Sequence, residues 1–190
     1  MTTTGGEYPA TLTIDYPDRE LDRLSTALRI FYVIPVLILF AFMTGVLAVP
    51  AGLMVLFRRK YPRWFFDFNL EMTRFSTRIG SYFALMSDVY PSADEEQYVH
   101  LELEYPDAGQ LNRWLPLVKW FLAIPHFVIL AILGFGALFA VLFAWFVILF
   151  TGRYPRGVFD FVEGLQRWGL RVQAYSILMT TDVYPPFALD

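Results

Sequence analysis

Two long apolar segments constrain this chain more than any other feature of its sequence. Residues 30–57 and 120–150 contain no Asp, Glu, Lys or Arg, and each exceeds the roughly 18 residues that nominate a membrane-inserted helix. The chain is 56% hydrophobic and 18% aromatic, which is more apolar than a typical soluble domain. We therefore expect an integral membrane protein in which both segments are embedded in the bilayer.

Each apolar segment is too long for one straight span. At 1.5 Å per residue the two helices would measure about 42 and 46 Å, against a hydrocarbon core of about 30 Å. Gly45 in the first segment, and Gly134 with Gly136 in the second, lie near the middle, where a helix bends most easily. We predict a helical hairpin in each segment. A hairpin that spans the bilayer and one that re-enters it both fit, because the second limbs are short.

Short motifs recur in the same order in the two halves of the chain. The pairs are LTIDYPD at 12–18 with LELEYPD at 101–107, RKYPRWFFDF at 59–68 with GRYPRGVFDF at 152–161, and LMSDVYP at 85–91 with LMTTDVYP at 178–185. Such recurrence indicates a tandem duplication. We predict an N-terminal tail (1–10), a first repeat (11–91), an acidic linker (92–99) and a second repeat (100–187).

Periodicity predicts the other elements of each repeat. Residues before each YPD motif alternate apolar and polar, which favours a short strand, and the two strands are expected to pair with each other or with the DVYP segments. Charged residues after each YPR motif recur every three or four positions, which indicates an amphipathic helix. The predicted fold is a mainly α membrane protein of two tandem repeats, each a short β-strand, a hydrophobic helical hairpin and an amphipathic interfacial helix.

The charged stripe of these helices supplies the candidate site. One hypothesis is a lipid-headgroup site or inter-repeat polar cluster formed by Asp67, Arg74, Arg78, Asp160, Arg167 and Arg171. The alternative is a solvated stripe whose charges pair along the helix, because Arg63 with Asp67, Arg156 with Asp160, and Glu163 with Arg167 are spaced i,i+4. Tyr61, Arg63, Trp64, Tyr154 and Arg156 are predicted anchors at the membrane interface.

Composition argues against most catalytic chemistries. The chain has no Cys, only two His and a net charge of −3, so thiol chemistry is excluded and nucleic-acid binding is not expected. No pattern indicates a catalytic residue, a cofactor or a metal site.

We expect a non-enzymatic accessory or scaffold subunit of a membrane complex, or a membrane-shaping element. The alternative is a lipid-binding or channel-type transport component. Expected partners are membrane lipids, and other membrane proteins or a second copy of this chain.

Both repeats resemble a known but uncharacterised family, and the match is best in the second repeat. LPLVKWFLAIPHFVIL, GRYPRGVFDF and TDVYPPF resemble the bacterial membrane family named domain of unknown function 4389. The first repeat departs from this pattern, since Val36 stands where the second repeat has His126. The resemblance implies the bacterial cell (inner) membrane and supplies no activity. Basic residues on both flanks of both apolar segments predict a multi-pass or re-entrant chain with cytoplasmic N- and C-termini.

Overall fold

The computed structural model describes residues 8–43, 53–54, 60–93, 95, 97–107, 109–112 and 114–190. Within them the chain is mainly helical. In chain order the elements are β1 (Ala10–Ile14), α1 (Arg23–Met43), α2 (Arg63–Phe83), β2 (Val99–Leu103), α3 (Pro116–Thr151) and α4 (Arg156–Ser176). The predicted amphipathic helices are α2 and α4, and each begins directly after a proline in an extended conformation. Gly45 and the second limb predicted for the first apolar segment lie outside the described residues, apart from positions 53–54.

The two strands pair with each other, as predicted. β1 and β2 form an antiparallel ladder in which Leu12 lies opposite Leu101 and Ile14 opposite Val99. Alternate residues of both strands are buried, which reflects the alternation in their sequences. The buried face of the sheet packs on the amphipathic helices, β1 on α4 and β2 on α2.

The four helices run antiparallel in pairs. Arg29, early in α1, contacts Tyr82 at the end of α2, whereas Phe40 contacts Phe75. In α3 and α4, Lys119 lies over the ring of Tyr175 near the end of α4. These contacts place the apolar helices α1 and α3 on the amphipathic helices, and the sheet on the opposite side. The described residues therefore form three layers.

The hairpin predicted for the second apolar segment is wrong. α3 is one continuous helix of 36 residues that passes through Gly134 and Gly136 without a break. A glycine inside a helix costs only about 1 kcal/mol relative to alanine, whereas a break in lipid would leave several backbone groups unpaired. α3 ends instead at Gly152, whose φ of +74° suits a left-handed cap.

One side of the apolar layer is exposed. α3 is the one helix among the described residues that is long and apolar enough to cross a membrane, with a mean hydropathy of 2.8 in its most apolar window. Phe121, Phe135 and Phe150 are 72%, 65% and 79% exposed, so the exposure extends along the whole helix. Phe31 and Ile38 of α1 are also exposed. An apolar surface of this extent marks a site of protein or membrane contact.

Candidate functional site

Two buried cations tie the apolar helices to the ends of the amphipathic ones. Arg29 of α1 forms an ion pair with Asp88 and donates to the carbonyl of Tyr82 at 3.1 Å. Lys119 of α3 is 2.7 Å from a carboxylate oxygen of Asp182 and donates to the Thr181 carbonyl at 2.8 Å. Both cation side chains are almost fully buried, so removing either acid would leave an unpaired charge in an apolar layer.

Tyr61 and Tyr154 are placed differently from the predicted interfacial anchors. Both are buried, and each donates to a carbonyl of the opposite half of the chain, Tyr61 to Leu178 at 2.9 Å and Tyr154 to Ala84 at 3.0 Å. Burial raises the pKa of both hydroxyls above the ordinary tyrosine value. They are therefore neutral donors that hold the two halves together.

The other predicted anchors are accessible. The side chains of Arg63 and Arg156 are 70% and 66% exposed, and Trp64 is 68% exposed. Arg63 lies 4.8 Å over the ring of Tyr105, and Arg156 lies 4.2 Å over the ring of Tyr16. Such cation–π contacts contribute about 0.5–1 kcal/mol at exposed sites, and both guanidinium groups remain on accessible surface.

Arg74 and Arg167 bind the strands. Arg74 Nε donates to the Leu101 carbonyl at 3.0 Å, and Arg167 Nε donates to the Leu12 carbonyl at 2.9 Å. Each also pairs with a Glu of its own helix, Glu71 at 2.7 Å and Glu163 at 2.9 Å. Because Leu12 and Leu101 face each other in the sheet, the two arginines clamp its centre from the two helices.

The remaining members of the predicted cluster lie apart from this clamp. Arg78 is buried and donates to the Ser92 carbonyl, and Arg171 lies 6.0 Å from the ring of Tyr8. Asp67 and Asp160 pair with the arginine four residues earlier, at 3.4 and 3.5 Å, on exposed surface. The three predicted i,i+4 pairs are thus confirmed. The structure does not bring the six cluster residues to one place, because each arginine is turned to a separate carbonyl or ring.

His126 occupies an aromatic enclosure between α3 and the C-terminal segment. Its Nδ1 accepts a hydrogen bond from Trp168 Nε1 at 3.1 Å, and its ring stacks on Phe187 with a centroid distance of 3.9 Å. Nε2 has no hydrogen-bond partner in the described part of the chain. No group of three His, Cys, Asp or Glu within that part could hold a metal ion. The surroundings of His126 are therefore those of a packed core residue.

An apolar cleft opens between α1 and α3. Its volume is 290 Å³, and its lining includes Thr26 and Arg29 from α1, Leu85 after α2, and Leu138, Val141 and Trp145 from α3. Trp145 Nε1 donates to the Thr26 carbonyl at 3.1 Å, which links the two helices at the cleft. The hydroxyl of Thr26 and Nε of Arg29 are buried and have no partner among the described residues.

Sequence reasoning missed the two buried cations. Arg29 and Lys119 were counted only as basic flanks of the apolar segments. The signal that could have identified them is their position, since each lies six residues before the repeated proline, Pro35 or Pro125, of an apolar helix. The Asp of each repeated DVYP motif, Asp88 or Asp182, is the ion-pair partner. A local sequence pattern does not show this pairing.

These observations define a mainly α-helical protein with a small sheet on one side and an exposed apolar helix layer on the other. Residues 114–188 match the family model described as Domain of unknown function (DUF4389). The match spans α3, α4 and the C-terminal segment, which supports the resemblance in the second repeat, whereas the predicted second copy of this domain in the first repeat is not shown. No curated protein matches the chain, and no solved structure matches it.

Proposed function

We propose that this chain is a non-enzymatic membrane protein that inserts its apolar layer into one leaflet and thereby shapes or scaffolds the membrane. The observation that carries the proposal is the apolar exposure along the full length of α3, from Phe121 to Phe150. Its opposite side packs on α4 through Lys119 and His126, and Ile148 near its other end is fully buried. A helix held in this way at both ends against a polar layer suits an orientation in the plane of the membrane.

Length supports the same orientation. A helix of 36 residues measures about 54 Å at 1.5 Å per residue, well beyond the hydrocarbon thickness of about 30 Å. If α3 crossed the bilayer upright, α4 and the sheet beside it would be drawn into hydrocarbon, together with the ion pair Glu163–Arg167 in the middle of α4. In the plane of one leaflet, the apolar helices face the acyl chains and the sheet faces water.

The two halves are proposed to be tandem copies related by an approximate two-fold axis. Matched contacts support this, since Arg74 and Arg167 bind the strand of the opposite half, and Tyr61 and Tyr154 cross between halves in the same way. The two strands also pair antiparallel, Leu12 opposite Leu101, as a two-fold axis through the centre of the sheet requires. With this axis along the membrane normal, both apolar segments enter the same leaflet.

The in-plane orientation also explains the basic flanks of both apolar segments. A helix that does not cross the bilayer leaves both of its ends on the same side of the membrane. The in-plane orientation therefore agrees with the predicted cytoplasmic location of both termini and requires no hairpin. We place the chain at the cytoplasmic face of the bacterial cell membrane, with lipids as its first partners. A second copy or a membrane complex is the proposed protein partner.

The experiment places single cysteines on the two sides of α3, because the chain has no natural Cys. Gln110→Cys precedes the helix and Arg153→Cys follows it, and both positions are exposed. Intact cells are treated with a membrane-impermeant maleimide, and then with a permeant one as a control for reactivity. We expect both cysteines to resist the first reagent and to react with the second. Labelling of one position alone from outside would mean that α3 crosses the bilayer, and the proposal would be wrong.

Lipid binding is the second candidate function, and the cleft between α1 and α3 favours it specifically. A channel-type component would need segments that cross the bilayer, so the same labelling experiment separates it from the in-plane arrangement.

A further inference from the structure

We propose that the cleft between α1 and α3 is a binding site for one acyl chain of a membrane phospholipid, whose ester carbonyl accepts hydrogen bonds from Thr26 and Arg29. The site deepens the proposed function, because it rests on the apolar layer being embedded in lipid. Its entrance is formed by Ile30, Leu138 and Leu142, which are 62%, 53% and 52% exposed on that layer. A lipid in the surrounding leaflet can therefore reach the cleft without passing through water.

Two unpaired polar atoms indicate what the ligand must carry. Thr26 and Arg29 are 1% and 3% exposed, and both line the cleft. The Thr26 hydroxyl and Arg29 Nε lack hydrogen-bond partners within the described residues. A buried donor that is left unsatisfied is unfavourable, so a ligand that accepts hydrogen bonds from both atoms gains affinity. Both atoms can donate, and a carbonyl oxygen with two lone pairs can accept from both.

Charge distinguishes an ester carbonyl from a phosphate at this position. The guanidinium of Arg29 is already paired with Asp88, and its NH1 is bonded to the carbonyls of Tyr82 and Ser87. The cleft therefore offers no net positive charge to an anion. Burying a phosphate beside this ion pair would place a second negative charge near Asp88, which is unfavourable in an apolar setting. A neutral carbonyl meets the same donors without that cost.

Size and lining fit a chain rather than a whole lipid. The volume of 290 Å³ lies just below the range of about 300–1,000 Å³ for ligand sites, and apolar side chains make most of the wall. One acyl chain can fill the space between Leu85 and Val141. The cleft thus accommodates the part of a phospholipid that carries a carbonyl beside a long apolar tail.

The second half of the chain lacks the same polar atoms. In the repeated sequence, Thr26 corresponds to Pro116 and Arg29 to Lys119. Proline has no hydroxyl, and the Lys119 ammonium is bonded to Thr181 and Asp182. The two unpaired donors at these positions are therefore a feature of the first half. A purely structural role shared by both halves would not require this difference between them. The site is expected to bind a single lipid per chain.

The test counts phospholipids retained by the purified full-length chain, using native mass spectrometry after reconstitution with phosphatidylethanolamine and detergent extraction. The wild type should retain one lipid. Val141→Trp fills the cleft and should abolish retention, whereas Phe143→Trp places the same side chain on the lipid-facing surface outside the cleft and should not. Thr26→Val keeps the shape but removes one hydrogen bond, and should weaken retention about fivefold.

Position is checked with phosphatidylethanolamine that carries a diazirine in one acyl chain. Cross-links in the wild type should concentrate at Ile30, Leu138 and Leu142, and Val141→Trp should remove them. Equal retention in Val141→Trp and Phe143→Trp would overturn the site, and so would unchanged retention in Thr26→Val. Flotation of each variant with vesicles measures membrane binding separately from lipid retention. If the wild type did not float with vesicles, the proposed function would be wrong, whatever the result for the cleft.

Discussion

At the scale of single residues, local pairs were predictable and distant ones were not. The pairing of Arg63 with Asp67 follows from helical spacing alone, because residues four apart lie on one face. Arg74 was also assigned to the charged stripe, but its main partner is the carbonyl of Leu101, 27 residues away. A backbone carbonyl that accepts a hydrogen bond leaves no pattern in the sequence. The role of Arg74 in binding the sheet is therefore evident only from the three-dimensional structure.

The buried tyrosines make stability sensitive to alkaline pH. Burial raises the pKa of Tyr61 and Tyr154, so the folded state favours the neutral hydroxyls, and their contribution to stability is complete below the unfolded pKa of about 10. It is lost as the pH rises from there towards the folded pKa. We expect the free energy of unfolding to fall above about pH 10, and to fall less steeply in the double variant Tyr61→Phe/Tyr154→Phe.

Denaturant unfolding at a series of pH values in detergent measures this dependence, and ultraviolet absorbance reports tyrosinate. The double variant should also lose about 1 kcal/mol per hydrogen bond at neutral pH. The control is Tyr32→Phe, which changes an exposed tyrosine of α1 and should alter neither quantity. If the double variant and the wild type lost stability equally with pH, the two tyrosines would not be the groups responsible.

At the scale of elements, periodicity predicted α2 and α4 well but failed at the middle of α3. Charges spaced by three and four residues specify a helix face, and prolines mark where both helices begin. In the second apolar segment, Gly134 and Gly136 suggested a bend because glycine permits one. Whether a permitted bend occurs depends on tertiary contacts, and α4 packs along α3, which is one continuous helix. The residue composition of the second apolar segment does not show whether a neighbouring helix requires it to be unbroken.

Continuity of α3 predicts that both glycines tolerate alanine. A methyl group added at Gly134 or Gly136 would meet nothing within 4 Å, and alanine favours a helix over glycine by about 1 kcal/mol. Gly134→Ala and Gly136→Ala should therefore keep or raise the thermal midpoint in detergent. Gly164→Ala is the matched control, because its methyl group would lie 2.5 Å from the Leu189 carbonyl oxygen, and it should lower the midpoint. A hairpin turn at 134–136 would reverse the first result.

At the scale of the whole molecule, the sequence predicted membrane association and two related halves, but not orientation. Basic residues on both flanks of an apolar segment require an even number of crossings, and zero and two satisfy that condition equally. The proposed in-plane orientation rests on the layers, in which the sheet packs on α2 and α4, and the apolar face of α3 lies on the side away from them. Only the assembled fold shows that the polar and apolar surfaces are on opposite sides of one body.

A body inserted into one leaflet should expand that leaflet and favour curved membranes. We expect the chain, added from dilute detergent to preformed vesicles, to bind small vesicles more tightly than large ones and to convert large vesicles into tubules seen by electron microscopy. Phe139→Lys puts a charge at the centre of the exposed face of α3, where insertion costs about 2.5–3.5 kcal/mol, and should weaken vesicle binding roughly a hundredfold. Thr13→Lys, on the exposed face of the sheet, should leave binding unchanged because that face points to water. Equal losses in the two variants would contradict the in-plane orientation, whereas tight binding of the wild type without remodelling would exclude membrane shaping and leave the scaffold role.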